Sequence, residues 1–367
     1  MIRELNAAIE QSDITASREI YASLLRGGKE EPWGIHDAVY AVVHQVLNPP
    51  FINPHLSKMY SINRELAAYL TPAESALLVG VELEEYTRRE KLPALEKPVD
   101  VVSTTYFDDV EKIISSKDSA ATAAAMAAFL MAAGPREFSR KLLLLGSGYL
   151  DKSLGHSISC SAFILLEMMR RKDQNPWPAL VILADYFCKG GFDTTPELLG
   201  TGTGDGSGEY FTKLCKAVSG TGFVPLHHTI TLYAIERSRH LLERQEYIHM
   251  LAMWTAMIGE KEENIHPVDD VVAVDIPDFK HFYTIFSRHD TQQLMPMIAG
   301  SLSSEEKRGL LARYVILSVL ENYNGHYDPH ILTGLGSAVW VMQKFHERPE
   351  VVMNAWLQYL DYFFSEI

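Results

Sequence analysis

The stretch 303–323, SSEEKRGLLARYVILSVLENY, decides the fold class. Ser303-Ser304-Glu305-Glu306 is a helix-start signature, in which a serine hydroxyl can accept from a free amide and the acids suit the positive helix end. Behind it Leu311, Val315, Ile316, Val319 and Leu320 recur at spacings of three and four, one face of a 3.6-residue period. The same period runs through 73–90, 138–154, 161–172 and 228–245, and Thr71-Pro72-Ala73-Glu74 is a second cap. Only 99–107 (VDVVSTTYF) and 271–277 (VVAVDIP) are rich in β-branched residues, and each sits between helical blocks as an extended connector. The chain therefore reads as all-α.

Blocks of the pattern recur. Lys117-Asp118-Ser119 aligns with His289-Asp290-Thr291, and Ser12-Asp13-Ile14 fits the same frame. After the first two come an apolar helix, a short break (GPRE or SSEE), a Leu-rich helix, and then His156 or His330. A helix pair cannot bury its apolar face alone, so stacked hairpins forming a curved, α-solenoid-like or toroidal array are expected. Residues 1–96 read as an N-terminal block and 97–367 as the main block, with KPVD at 97–100 between them; one continuous domain is compatible with the same pattern. A Gly-rich segment, 190–208, cannot hold a helix and reads as a loop able to cover a pocket.

Composition narrows the function. A net charge of −14 disfavours a phosphate-binding face, hence nucleic acid, and an anionic membrane surface. The longest apolar run, 120–134, is Ala-rich and shorter than the ~20 residues that cross a bilayer. The charged start MIRELNAAIEQSD has no apolar signal-peptide core, and three scattered cysteines with no CxxC pair fit a reducing cytoplasm. The Gly-rich segment is no dinucleotide fingerprint: no strand precedes it, no P-loop lysine follows, and Asp205 and Glu209 would repel phosphate. Glu-x-x-His pairs on strong helices, which a di-iron centre wants, are missing, and so are hydrolase signatures.

What remains is histidine. Four helices are expected to open at an equivalent ring: His36, His156, His228 and His330. His156-Ser157-Ile158-Ser159 matches His228-Thr229-Ile230-Thr231 in residue class, which reads as a repeat. From His156 the same helix face carries Cys160, Phe163 and Glu167; from His228, Leu232, Ile235 and Arg239; from His36, Tyr40, Val43 and Leu47. Such faces suit imidazoles at the mouth of an apolar pocket and suit plain core equally. In the first case neutral rings act as metal ligands or general bases, with Asp37, Asp328 or Glu167 as the carboxylate. In the second each ring caps a helix or fills a hole. NGHYDPH, 324–330, is either a compact metal or acid–base cluster or a turn opening the last His helix.

The segments YLDKSLGHSISCSAFILLEM, GIHDAVYAVVHQVL and HYDPHILTGLGSAVWVM resemble the questin oxidase-like family, relatives of which are fused to Rieske iron–sulfur domains. The resemblance implies an all-helical fold with His36, His156, His228 and His330 lining a pocket, and Baeyer–Villiger-type oxidation with NADPH. The chain carries no NADPH, flavin or Rieske signature, so the named substrate is not carried over. The expectation is a cytoplasmic oxidoreductase acting on an apolar or aromatic small molecule. His156 and His228 are the catalytic candidates, and all four histidines are candidate ligands for iron or another divalent metal. Trp33, Tyr40, Phe163 and Tyr233 are candidate lining residues, and a redox protein is a candidate partner. The alternative is a non-catalytic helical-repeat scaffold that binds a protein.

Overall fold

A computed structural model describes every residue except 29, 94, 97–105, 172–173, 191–206, 260–267 and 269, and only the backbone of 207–209. Residues 191–206 of the candidate lid and 99–105 of the connector lie outside the described residues, while Gly190 and 207–208 at the ends of the lid are helical. The protein is all-α. In chain order the first helices are α1 (Ile2–Glu10), α2 (Ile14–Arg26), α3 (Pro32–Ala38), α4 (Tyr40–Val43), α5 (His55–Leu66) and α6 (Pro72–Arg88). Then follow α7 (Phe107–Ser115), α8 (Ser119–Ser147), α9 (His156–Arg170), α10 (Trp177–Gly190), α11 (Ser207–Val218) and α12 (Phe223–Ser238). The last six are α13 (Arg244–Ile258), α14 (Phe279–Phe286), α15 (Thr291–Ser301), α16 (Glu305–Glu321), α17 (His330–Lys344) and α18 (Pro349–Glu366). No strand forms among the described residues; 271–277 is extended without strand pairing, and only two isolated bridges occur.

The aligned tripeptides share one local geometry. Ser12, Lys117 and His289 all adopt left-handed backbone, with φ of 59°, 60° and 56°. Each is followed by an aspartate that caps the next helix: Asp13 accepts from the Ala16 amide, Asp118 from Ala121 and Asp290 from Gln293. The left-handed residue turns the chain and its amide reaches back to a helix carbonyl, as in His289 N to Phe286 O at 2.9 Å. Asp then satisfies a free amide of the new helix. The two predicted caps form as well: Ser304 accepts from Lys307, and Thr71 and Glu74 make a reciprocal capping box.

The repeat extends well past these tripeptides. The 3-10 turn Ala67–Tyr69, helix α7, Asp118 and helix α10 each lie 172 residues before a counterpart: the turn Arg239–Leu241, α14, Asp290 and α18. His156, which opens α9, and His330, which opens α17, are 174 apart. The chain thus carries an internal structural repeat at an offset of 172 to 174 residues.

Two compact units form. One comprises 1–61, 82–202 and 234–257; the other comprises 62–81, 203–233 and 258–367. In the first, α8 packs on α7, α9 and α10, and α1 on α2. Gly134, at φ 81° and ψ 165° and followed by Pro135, breaks α8 into two helices, as the GPRE segment predicted. The core of this unit holds Phe138, Phe163, Tyr186, Phe187 and Trp254, all fully buried. Each such side chain contributes ~1.5–3 kcal/mol by leaving water.

In the second unit α15 packs on α16 and α18, and α17 on α18, around Trp356 and Tyr359. The extended 271–277 segment lies across α15, where the Val274 amide donates to the Pro296 carbonyl at 3.0 Å. Gly300 makes this possible, because a Cβ there would run into the Val274 carbonyl. Gly300→Ala is expected to cost about 1–3 kcal/mol, the usual range for overpacking. It should also lift the segment off the helix, read as lost hydrogen-exchange protection of the Val274 amide; unchanged protection would contradict the packing.

Candidate functional site

Among the described residues, each unit buries a pair of facing imidazoles. In the first unit His55 opens α5 directly after Pro54, and His156 opens α9 after the left-handed residues Leu154 and Gly155. Their Nε2 atoms lie 2.8 Å apart, with both rings buried. In the second unit His227, in the first turns of α12, meets His330 at the start of α17, Nε2 to Nε2 at 3.0 Å. His227 lies 172 residues after His55, so the two pairs are counterparts. They also sit beside equivalent phenylalanines, Phe51 and Phe223.

The outer nitrogens fix the tautomers. A ring nitrogen facing a carbonyl or carboxylate must carry a proton, and a neutral ring then presents a lone pair on its other nitrogen. In the second unit His227 Nδ1 faces the Phe223 carbonyl at 2.7 Å, and His330 Nδ1 faces the Asp328 carboxylate at 2.5 Å. Both Nδ1 atoms therefore donate, so two neutral rings would point lone pair at lone pair. Only a proton or a metal cation between them makes this contact favourable. Burial pushes the Asp328 pKa up, but the His330 ring and the Tyr362 hydroxyl, 3.0 Å away, outweigh it and hold the carboxyl well below the usual range. Asp328 is thus ionised behind the ring, the carboxylate–histidine arrangement that orients and strengthens a metal ligand.

The spacing suits an ion as well. Metal–nitrogen bonds of ~2.0–2.1 Å at a right angle put two ligand atoms ~3 Å apart. His227 and His330 are both buried.

The sequence-predicted residues divide. His156 and His330 do open helices and do meet another histidine. His36 does not open a helix; it lies in the last turn of α3, because Pro32 starts that helix four residues earlier. Its Nδ1 meets Glu82 at 2.7 Å and its ring stacks on Tyr60 at 3.9 Å, with Tyr86 donating to the same carboxylate. His228 sits inside α12, since Phe223 begins it, and the facing contact belongs to its neighbour His227. The counterpart of His156 is accordingly His330 rather than His228.

Of the carboxylates, Asp328 backs an imidazole. Asp37 and Glu167 bind Arg171 instead, each at 2.5 Å. Phe163 is core, and Tyr233 donates to Glu65 while stacking on Trp340. Trp33 packs edge-on against His36, and Tyr40 against His44. A cleft of about 650 Å³ in the second unit is lined by Tyr69, Asp275, Lys307 and Arg313 among others, with no histidine. None of the three cysteines is in a disulfide and all are buried, and burial pushes the Cys160 thiol up to about 11. No described helix is long and apolar enough to cross a membrane.

Sequence reasoning missed His55 and His227. His55 stands in NPPFINPH, which reads as a Pro-rich loop, although a break ending in Pro54 is also a place for a helix to begin. The 172-residue offset would have found both. No protein family, curated protein or solved structure matches the chain.

Proposed function

We propose that this protein is a metal-dependent oxidoreductase whose His227 and His330 bind a divalent first-row transition metal through Nε2. One observation carries the reading: both rings donate from Nδ1 to fixed acceptors while their Nε2 atoms converge at 3.0 Å, an arrangement that calls for a cation. Imidazole ligands suit iron, copper, zinc and nickel. Two imidazoles leave coordination positions for water and substrate, which favours a catalytic over a purely structural ion. The bound metal would supply Lewis-acid or redox chemistry. Asp328 would keep His330 basic and correctly turned, and the Phe223 carbonyl would do the same for His227.

The oxidoreductase class and the apolar or aromatic substrate come from the resemblance to questin oxidase-like proteins, and electrons would come from a redox partner protein. Three cysteines without a disulfide fit a cytoplasmic setting.

The test is elemental analysis of untagged protein from metal-supplemented cells. Near-stoichiometric metal in the wild type, lost in His227→Ala and in His330→Ala, is the expected result. Wild type without metal would overturn the reading. The pair would then share a proton, with His330 as an imidazolium on Asp328, and a non-catalytic scaffold would be the better description.

A further inference from the structure

The two counterpart pairs differ in where their protons sit, and one side chain makes the difference. In the first unit Asn48 is buried beside His55, its Nδ2 at 3.2 Å from His55 Nδ1. An Asn amide could in principle turn either its oxygen or its nitrogen to the ring. Arg89 removes that choice. Its Nη1 donates to Asn48 Oδ1 at 2.6 Å, and Glu85 holds the same guanidinium at 2.9 Å. Backbone pairing of 45–47 with 90–92 fixes Asn48 against this arginine: Leu47 N donates to Glu90 O at 2.8 Å and Leu92 N to Gln45 O at 2.6 Å.

With its oxygen committed to Arg89, Asn48 must donate to His55. His55 Nδ1 is then an acceptor and its proton sits on Nε2. His156 has the opposite tautomer, because its Nδ1 donates to the Ser153 carbonyl at 2.7 Å. The 2.8 Å contact closes as an ordinary N–H···N hydrogen bond between neutral rings. The result is a chain of one direction, from Arg89 through Asn48, His55 and His156 to Ser153. Nothing in it calls for a cation.

We propose that Asn48, held by Arg89, is the positioning residue that sets His55 to donate rather than to ligate, whereas the Phe223 carbonyl sets its counterpart His227 to ligate. His156 and His330 both donate from Nδ1, so Asn48 is the side chain that sets the proton of one pair apart from that of the other. A carboxylate at 48 would accept from both Arg89 and His55, move the His55 proton to Nδ1, and leave the His55 and His156 lone pairs face to face. This deepens the metal reading above, but its first test stands without it.

That test is nitrogen-15 NMR of selectively His-labelled protein from zinc-supplemented cells, with His55 assigned through His55→Gln. Wild type is expected to show His55 protonated at Nε2 and His156 at Nδ1. Asn48→Asp is expected to move the His55 proton to Nδ1. A His55 already protonated at Nδ1 in the wild type, or unmoved in Asn48→Asp, would overturn the proposal. The wild-type measurement needs no variant at position 48, so a folding defect in Asn48→Asp does not remove the test. In a cobalt(II) titration Asn48→Asp should take up more cobalt than wild type at equal free cobalt, and no gain counts against the proposal. Absence of metal in the wild type would instead sink the function proposed above while leaving the tautomer result to stand or fall separately.

Discussion

Arg171→Ala should lower the unfolding free energy by about 3–5 kcal/mol, the cost of breaking one side of a buried ion pair. Arg171 is 3 % exposed, and its Nε binds Glu167, also 3 % exposed, at 2.5 Å. Its other nitrogens reach Asp37, Gln174 and the Tyr60 hydroxyl, and its planar group lies 4.7 Å from the centre of the Tyr40 ring. Removing it leaves the Glu167 carboxylate with Arg170, which binds it at 2.6 Å from a half-exposed position. Lysine should rescue little, because one ammonium cannot match a fork that meets several acceptors. Urea unfolding followed by circular dichroism gives the value. The double variant Arg171→Ala/Glu167→Ala should lose less than the sum of the two single changes. A loss below about 1 kcal/mol for Arg171→Ala would show that the network is not stabilising.

The second large effect is on acid stability. His44 is fully buried, with neither ring nitrogen bonded to a partner among the described residues. Burial pushes its imidazole down to about 3; the Arg171 charge adds to this and Glu167 opposes it. An unfolded chain protonates the ring near the ordinary value of ~6.5. Above that pH both states are neutral and His44 adds no pH dependence. As pH falls from about 6.5 towards 3, the unfolded state takes up a proton that the folded state refuses, and stability drops. The slope from this one group approaches ~1.4 kcal/mol per pH unit, or on the order of 4 kcal/mol across the window. His44→Phe keeps an aromatic ring against Tyr40 and should flatten the curve by that amount. An unchanged slope between pH 6 and 4 would mean that another group governs acid unfolding.

Much of the fold was legible in the sequence because it is written locally. Helical periodicity and the caps at Thr71 and Ser304 depend on neighbours within a few residues, and both form as expected. The site was legible only in part. His156 and His330 stood out because each follows a clear break. His55 and His227 did not, because a facing pair is made by residues 101 and 103 positions apart and has no local pattern. The His–x–Ile match drew attention to His228, one position past the ring that makes the contact. The difference between the pairs was least visible of all. It rests on whether an amide nitrogen or a carbonyl oxygen faces the ring of His55 or His227, and so on Arg89 holding Asn48 across 41 residues.

The distribution of segments between the units has a consequence for synthesis. Residues 62–81 belong to the unit completed by 258–367, and their counterparts within 234–257 belong to the unit that begins at residue 1. A ribosome therefore releases 62–81 long before their partners exist. It must also translate as far as residue 257 before the earlier unit has all its parts. Neither unit can be obtained by cutting the gene once, and a nascent chain stalled near residue 200 would expose apolar helix faces to chaperones. Maturation of this protein should depend on holdase capacity more than that of a chain whose domains follow one another in order.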